Sequence, residues 1–313
     1  MNQTSLKKLL IFLTTATLAI SIISCNNKDQ NVPITDVKLN QNVTTRAAGD
    51  SFTLTATVLP DNATNKQLTW FCSNDTVATV SNGVVTTLVS GRTSIIVTTE
   101  EGNKTDTCAL VVAIGCNVNT PGWGSSLGIV TRGAQEWAIS GNGITQIWSD
   151  AVTATNCQKT TFAGGSTGNF SADCRSNPDY PGDLFSWCAV IRFQDQLCPD
   201  PWRVPTTEDF INLDIAMGGN GRVRNTGTSS VATPQFTTDN YINRWGGALG
   251  GACVFEGAHV SDGTLFSQGT AFYWSQTEFY ATDAGFLHFR TSGTIWPSSR
   301  FFKQYGLSLR CVR

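Results

Sequence analysis

Few residues in this chain are suited to chemistry. Its 313 residues include 2 His and 10 Cys, with 23 acidic against 21 basic side chains. Two imidazoles, His259 and His288, are too few for a three-histidine zinc centre, and surface or strand positions are the plainer reading of both. None of the cysteines is spaced C-x-x-C, so the usual zinc and dithiol patterns are absent and disulfides become their leading use. Gly164, Gly165, Ser166, Thr167 and Gly168 fit the G-x-S-x-G nucleophile pattern. That elbow needs a buried strand before the serine and a helix after it, whereas polar loop sequence flanks this one on both sides. Two carboxylate pairs remain, Glu256 with Asp262 and Glu278 with Asp283. A glycosidase would need such groups roughly 5–10 Å apart across a cleft, and solvated loop acids explain them more simply. No glycine loop followed by Lys and Ser or Thr is present to cradle a phosphate. The expectation is therefore no catalytic residue, no metal ligand and no cofactor.

Tryptophan is the stronger candidate for binding, because its ring can stack on a sugar face or anchor an interface. Eight of the nine lie at position 123 or later. Most must fill core, and Trp202 and Trp274 are read that way. Trp245, flanked by Arg244 and by Gly246 and Gly247, could equally face a ligand. The candidate ligand-binding set is Trp245, Glu256, Asp262 and Glu278, with the partner expected to be a protein or a glycan.

The elements that must position these groups are strands. Charged residues make up only 14% of the chain, beside 29 Gly and 17 Phe, a composition that points to β structure outside the cytoplasm. At roughly 150 residues per domain the length suggests two domains, and the net charge of -2 leaves no footprint for nucleic acid. Residues 1–24 carry Lys7 and Lys8 and then an uncharged apolar run, which is a signal-peptide pattern. The run ends in Ile22, Ile23, Ser24 and Cys25, which resembles the lipobox of bacterial lipoproteins. The resemblance implies that Cys25 is acylated and becomes the mature N-terminus, a membrane anchor. Residues 25–33 read as a polar tether, and Asn26 after the cysteine implies sorting to the outer membrane of a diderm bacterium.

From 34 to 113 short runs alternate apolar and polar residues between turn clusters, as a sandwich requires. Expected strands cover 37–39, 51–59, 67–72, 77–80, 84–88, 93–99 and 107–112, with a turn at Ser81, Asn82 and Gly83. Phe52, Leu54, Ala56 and Val58 share one face, and Ser51, Thr53, Thr55 and Thr57 the other. The string LTATVLPDNATNKQLTWFCSNDTVATVSNGVV, with SGRTSIIVTT and KTDTCALVV after it, resembles the bacterial immunoglobulin-like domain of group 2. Such domains serve as spacers or adhesion modules on surface proteins. Cys72 and Cys108 either form a bridge worth roughly 3–4 kcal/mol or remain two buried thiols acting as small hydrophobes.

The texture changes at Gly115 and Cys116, where longer loops and more aromatic residues begin. Thr206 is placed to cap a helix, with Glu208 and Asp209 in its first turn, Phe210, Leu213 and Met217 at helical spacing, and Gly218 and Gly219 to stop it. The blocks LCPDPWRVPTTEDF, AFYWSQTE and YGLSLRCVR resemble the Fibrobacter succinogenes major paralogous domain over most of 116–313. That family is similar to the C-type lectin-like fold, so the expected fold class is an all-β immunoglobulin-like sandwich followed by an α+β C-type lectin-like domain. The resemblance pairs Cys198 with Cys311. The calcium-binding triplets of true C-type lectins are missing, which removes the expectation of a sugar-bridging calcium ion. Seven cysteines in this part cannot all pair within it, and Cys253 is the expected free thiol. Together these features predict a lipid-anchored surface protein that recognises its ligand non-covalently. The alternatives are a glycan hydrolase using the loop carboxylates, or a spacer of a surface assembly.

Overall fold

A computed structural model describes residues 31–117, 129–130, 135–150, 153–154, 160–161, 167–168, 184–222, 238–254, 264–266, 269–290, 294–303 and 305–313. Nine strands build the N-terminal sandwich: β1 (Asp36–Leu39), β2 (Val43–Ala48), β3 (Ser51–Thr53), β4 (Ala56–Leu59), β5 (Leu68–Cys72), β6 (Ala78–Ser81), β7 (Val84–Thr87), β8 (Gly91–Thr99) and β9 (Thr105–Asn117). One sheet runs β2-β9-β8-β5 and another β3-β7-β6, while β1 pairs with β4. The alternation read from sequence is realised. Phe52, Leu54 and Val58 are buried, while Ser51, Thr53, Thr55 and Thr57 are exposed. The single strand expected over 51–59 is split in two, since β3 pairs with β7 and β4 crosses to β1.

The β6–β7 turn shows why its sequence is Asn-Gly. Ser81 pairs with Val84, leaving a two-residue loop in which Asn82 (φ 49°) and Gly83 (φ 81°) are both left-handed. That loop matches the twist of the flanking strands. A Cβ on Gly83 would also stand 2.5 Å from the Leu54 carbonyl oxygen and 3.2 Å from the Trp70 ring.

Strand β2, with the sequence VTTRAA, is absent from the sequence-based expectation because nothing in it alternates. It lies parallel to β9, with Val43 opposite Ala109, and all but its first residue are buried. Polar Thr44, Thr45 and Arg46 are inside because the C-terminal domain covers the strand's outer edge. Strand β9 continues to Asn117, through the expected boundary at Gly115 and Cys116.

The remaining strands are β10 (Ile129–Val130), β11 (Glu136–Gly141), β12 (Ile144–Asp150), β13 (Thr153–Ala154), β14 (Thr160–Thr161), β15 (Thr167–Gly168), β16 (Ala252–Val254), β17 (Thr264–Phe266), β18 (Thr270–Glu278), β19 (Asp283–Arg290), β20 (Ile295–Phe302) and β21 (Arg310–Val312). Among the described residues four helices lie between β15 and β16: α1 (Trp187–Arg192), α2 (Gln194–Leu197), α3 (Thr207–Ala216) and α4 (Thr238–Asn243). Two three-stranded sheets dominate, β11-β12-β21 and β18-β19-β20, with Trp148 opposite Val312 so that the chain end returns to the start of the domain.

Helix α3 forms where its signals lie. The Thr206 hydroxyl accepts from the Asp209 amide, and the Asp209 carboxylate accepts from the Thr206 amide at 2.7 Å, a reciprocal cap. Arg203 adds a two-point bond to the same carboxylate at 2.6 and 2.8 Å. Burial works to raise the Asp209 pKa, but Arg203 and Thr206 outweigh it and hold the carboxyl below the ordinary aspartate value. Phe210, Leu213 and Met217 are buried as the spacing requires. They join Trp148, Tyr241, Trp245, Tyr273 and Phe289 in one core cluster.

Among the described residues two disulfides tie the C-terminal part, Cys116–Cys188 and Cys198–Cys311. The first joins β9 to α1. Cys72 and Cys108 are instead free and buried, which corrects the expected bridge. Cys72 and Cys108 each pair with Ile95 from opposite sides, so strand β8 stands between them. Two strand spacings come to roughly 9.6 Å, beyond the ~7 Å that a disulfide can span. Burial pushes the Cys108 thiol up to about 12. A thiol reagent should therefore leave both residues unmodified in the native protein and label both in denaturant. Labelling of Cys108 under native conditions would contradict this arrangement.

Candidate functional site

The junction between the two domains is built from the covered edge of β2. The Thr45 amide donates to Gln276 Oε1 at 2.8 Å, and the Thr45 carbonyl accepts from Gln194 Nε2 at 2.5 Å. Two glutamine amides thus stand where another strand would otherwise pair, blunting an edge that would invite aggregation. Arg46, with a side chain only 3% exposed, lies 4.1 Å over the Phe52 ring and reaches across to Asp195 with bonds of 2.5 and 2.9 Å. Asp50 receives Arg192 at 3.2 Å. Burial raises the Asp50 pKa, and Arg46 and Arg192 oppose it.

A second contact pins strand β9. Glu278 Oε1 accepts from the Ile114 amide at 2.8 Å and from Lys303 Nζ at 2.6 Å, and Lys303 Nζ donates to the Ile114 carbonyl at 2.9 Å. The Lys303 ammonium also sits 4.7 Å over the Trp187 ring. Burial is the leading influence on Lys303 and lowers its pKa, with Glu278 and Asp283 opposing. The hydrophobic cluster here includes Ala47 of β2 and Ala113 and Cys116 of β9 beside Trp187, Phe272 and Trp274 of the second domain.

These findings correct two of the candidate ligand-binding residues. Glu278 is a buried member of the junction, its side chain 6% exposed, and cannot present a carboxylate to a ligand. Trp245 is fully buried, packed edge-on against Trp148, Phe210, Tyr241 and Tyr273 at centroid distances of 4.8–6.4 Å. Gly246 (φ 71°) is required beside it, since a Cβ there would lie 2.4 Å from the Trp137 ring. Trp274 is fully buried too, and Trp202 partly so. Glu256, Asp262, His259, Cys25 and Ser166 lie outside the described residues, as does the side chain of Cys253.

His288, on β19, is 3% exposed and stacked 5.0 Å from Phe272, with Trp296 at 4.1 Å. Arg290 Nε donates to its Nε2 at 3.1 Å. Burial, and then the Arg290 charge, lower its pKa to about 3. The unfolded chain binds a proton at this residue below about 6.5 and the folded chain does not, so stability is lost as pH falls from about 6.5 toward 3. His288→Phe should flatten that part of a urea-midpoint profile against pH. An unchanged slope would show that the imidazole titrates freely when folded.

Between the domains the described residues enclose a cleft of about 410 Å3. Asn40, Gln41, Thr53 and Thr55 form its wall on the sandwich side. Asp195, Asp200 and Trp202 face them from the second domain, with Arg46 and Cys198 behind. Among these residues only Trp202 is aromatic, and the Arg313 guanidinium lies 4.6 Å over its ring. The cleft offers hydroxyl, amide and carboxylate groups, a lining suited to holding a polar ligand without bond making. The sequence marked Trp202 as core, Cys198 as a disulfide partner and Thr53 and Thr55 as the wet face of a strand, and none of the lining as a binding group. The one available signal was Arg46, a lone charge in the otherwise uncharged run VTTRAA.

Residues 33–110, which form the sandwich, match the bacterial Ig-like domain (group 2) family. An Ig-like virion protein of Serratia phage KSP90 is 43% identical over 84 residues, covering 26% of this chain and 33% of the phage protein. An uncharacterised protein of Clostridium acetobutylicum is 36% identical over 80 residues, 25% of this chain and 20% of its own length. A second protein from that organism is 33% identical over 114 residues, 34% of this chain and 12% of its own length. The chain therefore spans a third or less of the curated relatives it matches. Domains 1–6 of the surface layer protein SbsC resemble 43% of this chain at 14% identity and a TM-score of 0.25, over 26% of that structure.

Proposed function

We propose that the chain is a lipid-anchored surface protein whose immunoglobulin-like sandwich and C-terminal domain act together in non-covalent recognition. The observation that carries this reading is the sealed junction: strand β9, the Cys116–Cys188 bridge and the buried contacts of Arg46 and Lys303 join the two domains, which supports their acting together. Two disulfides favour an oxidising compartment, in keeping with export by residues 1–24 and acylation at Cys25. The return of β21 onto β12, closed by Cys198–Cys311, supports a C-type lectin-like reading of residues 116–313. The hydrolase alternative loses its Glu278 pair, because that carboxylate is bonded to Lys303 inside the protein.

A second reading, a structural part of a surface assembly, draws support from the virion protein among the relatives. Radiolabelled palmitate should enter the full chain and not the Cys25→Ser variant. Cells displaying the chain should adhere to glycan- or matrix-coated surfaces more than cells lacking it. Equal adhesion on every surface would favour the structural reading, and unlabelled wild-type protein would remove the anchor.

A further inference from the structure

We infer that the cleft between the two domains is a binding site for a small neutral saccharide, an inference that rests on the recognition role proposed above. Size and lining carry it. Small-molecule sites occupy roughly 300–1,000 Å3, and this cleft holds about 410 Å3. Hydroxyl-rich ligands are held by groups that both donate and accept, and Asn40, Gln41, Thr53 and Thr55 supply amides and hydroxyls along one wall. Across from them, Asp200 is an acceptor of the kind that fixes sugar hydroxyls, Asp195 keeps lone pairs beyond those it gives Arg46, and Trp202, partly exposed with Arg313 4.6 Å over its ring, adds some aromatic surface.

Charge narrows the class further. The cation in the lining, Arg46, is held by both oxygens of Asp195, so it is committed and its charge is matched. With Asp200 added, the lining leans negative, which disfavours phosphates, sulfated glycans and sialic acids. An apolar ligand is disfavoured as well, since Trp202 is the single large apolar side chain there. Two walls come from different domains, so the site exists only while the junction is intact. The domains are locked together by Arg46, Gln194 and Gln276 immediately beside the cleft, which leaves it ready to bind without a closing movement.

The test is calorimetric titration of the full chain, purified in detergent, with glucose, galactose, N-acetylglucosamine and their β-linked disaccharides. Thr53→Trp and Thr55→Trp would fill the cleft from exposed positions, one in β3 and one in the link to β4, and should leave the urea midpoint unchanged. The expected result is binding of at least one of these sugars that weakens tenfold or more in both variants. Binding that survives both substitutions overturns the site, while leaving the recognition role standing. If no sugar binds but the displayed chain still adheres to a protein-coated surface, the saccharide assignment falls and recognition is retained. With neither sugar binding nor adhesion, both fall together.

Discussion

Lys303→Ala is expected to lower the free energy of unfolding by about 3–5 kcal/mol, the usual cost of leaving one partner of a buried ion pair behind. The Lys303 and Glu278 side chains are 2% and 6% exposed, so water cannot take the place of the missing ammonium. Among the described residues Glu278 would keep only the Ile114 amide as a donor, and the Ile114 carbonyl would lose the bond from Nζ. Urea denaturation monitored by tryptophan fluorescence measures the loss as a fall in midpoint at constant slope. The double substitution Lys303→Met with Glu278→Leu should recover most of it, because apolar side chains of similar volume replace a buried pair at little net cost. A single-variant loss below about 1 kcal/mol would mean that the pair is hydrated, as surface pairs are.

Loss of the Cys198–Cys311 bridge, made as Cys198→Ala with Cys311→Ala, should cost about 2–5 kcal/mol. The bridge spans 113 residues of sequence and anchors β21, whose backbone pairs with β12 on one side and Arg203 on the other. Cys116–Cys188 spans 72, and loop-closure entropy separates the two bridges by only about 0.4 kcal/mol. What distinguishes them is what they hold. Removing Cys198–Cys311 should free the C-terminus for proteolysis, whereas removing Cys116–Cys188 should expose the junction. Limited digestion of the two double variants separates these outcomes. Identical cleavage patterns would show that neither bridge acts locally.

Parts of this architecture were legible in the sequence because they are decided locally. Thr206, Asp209 and the spacing of Phe210, Leu213 and Met217 specify helix α3 within a dozen residues. The Asn82-Gly83 turn and the alternation through Phe52, Leu54 and Val58 are of the same kind. What stayed hidden depends on which segments meet. Cys72 and Cys108 do share a face, but the interposed strand β8 is a property of sheet order that neither residue encodes. Glu278 looks like a loop acid until β20 and its following turn bring Lys303 to it. Strand β2 offers no period because both its faces and its edge are covered, each by a different neighbour. The cleft had almost no signature beyond the lone charge of Arg46, since its walls come from two domains and become a concavity only after docking.

The parallel pairing of β2 with β9 has a mechanical side. A pull applied between Val43, where β2 starts, and Asn117, where β9 ends, acts on opposite ends of the paired strands. Tension between these points drags the two strands past each other along their length. The slanted bonds of a parallel ladder are then strained together, in shear, and cannot be unzipped one at a time. A pull across the sandwich from Val43 to Asn117 therefore loads this ladder along its whole length at once.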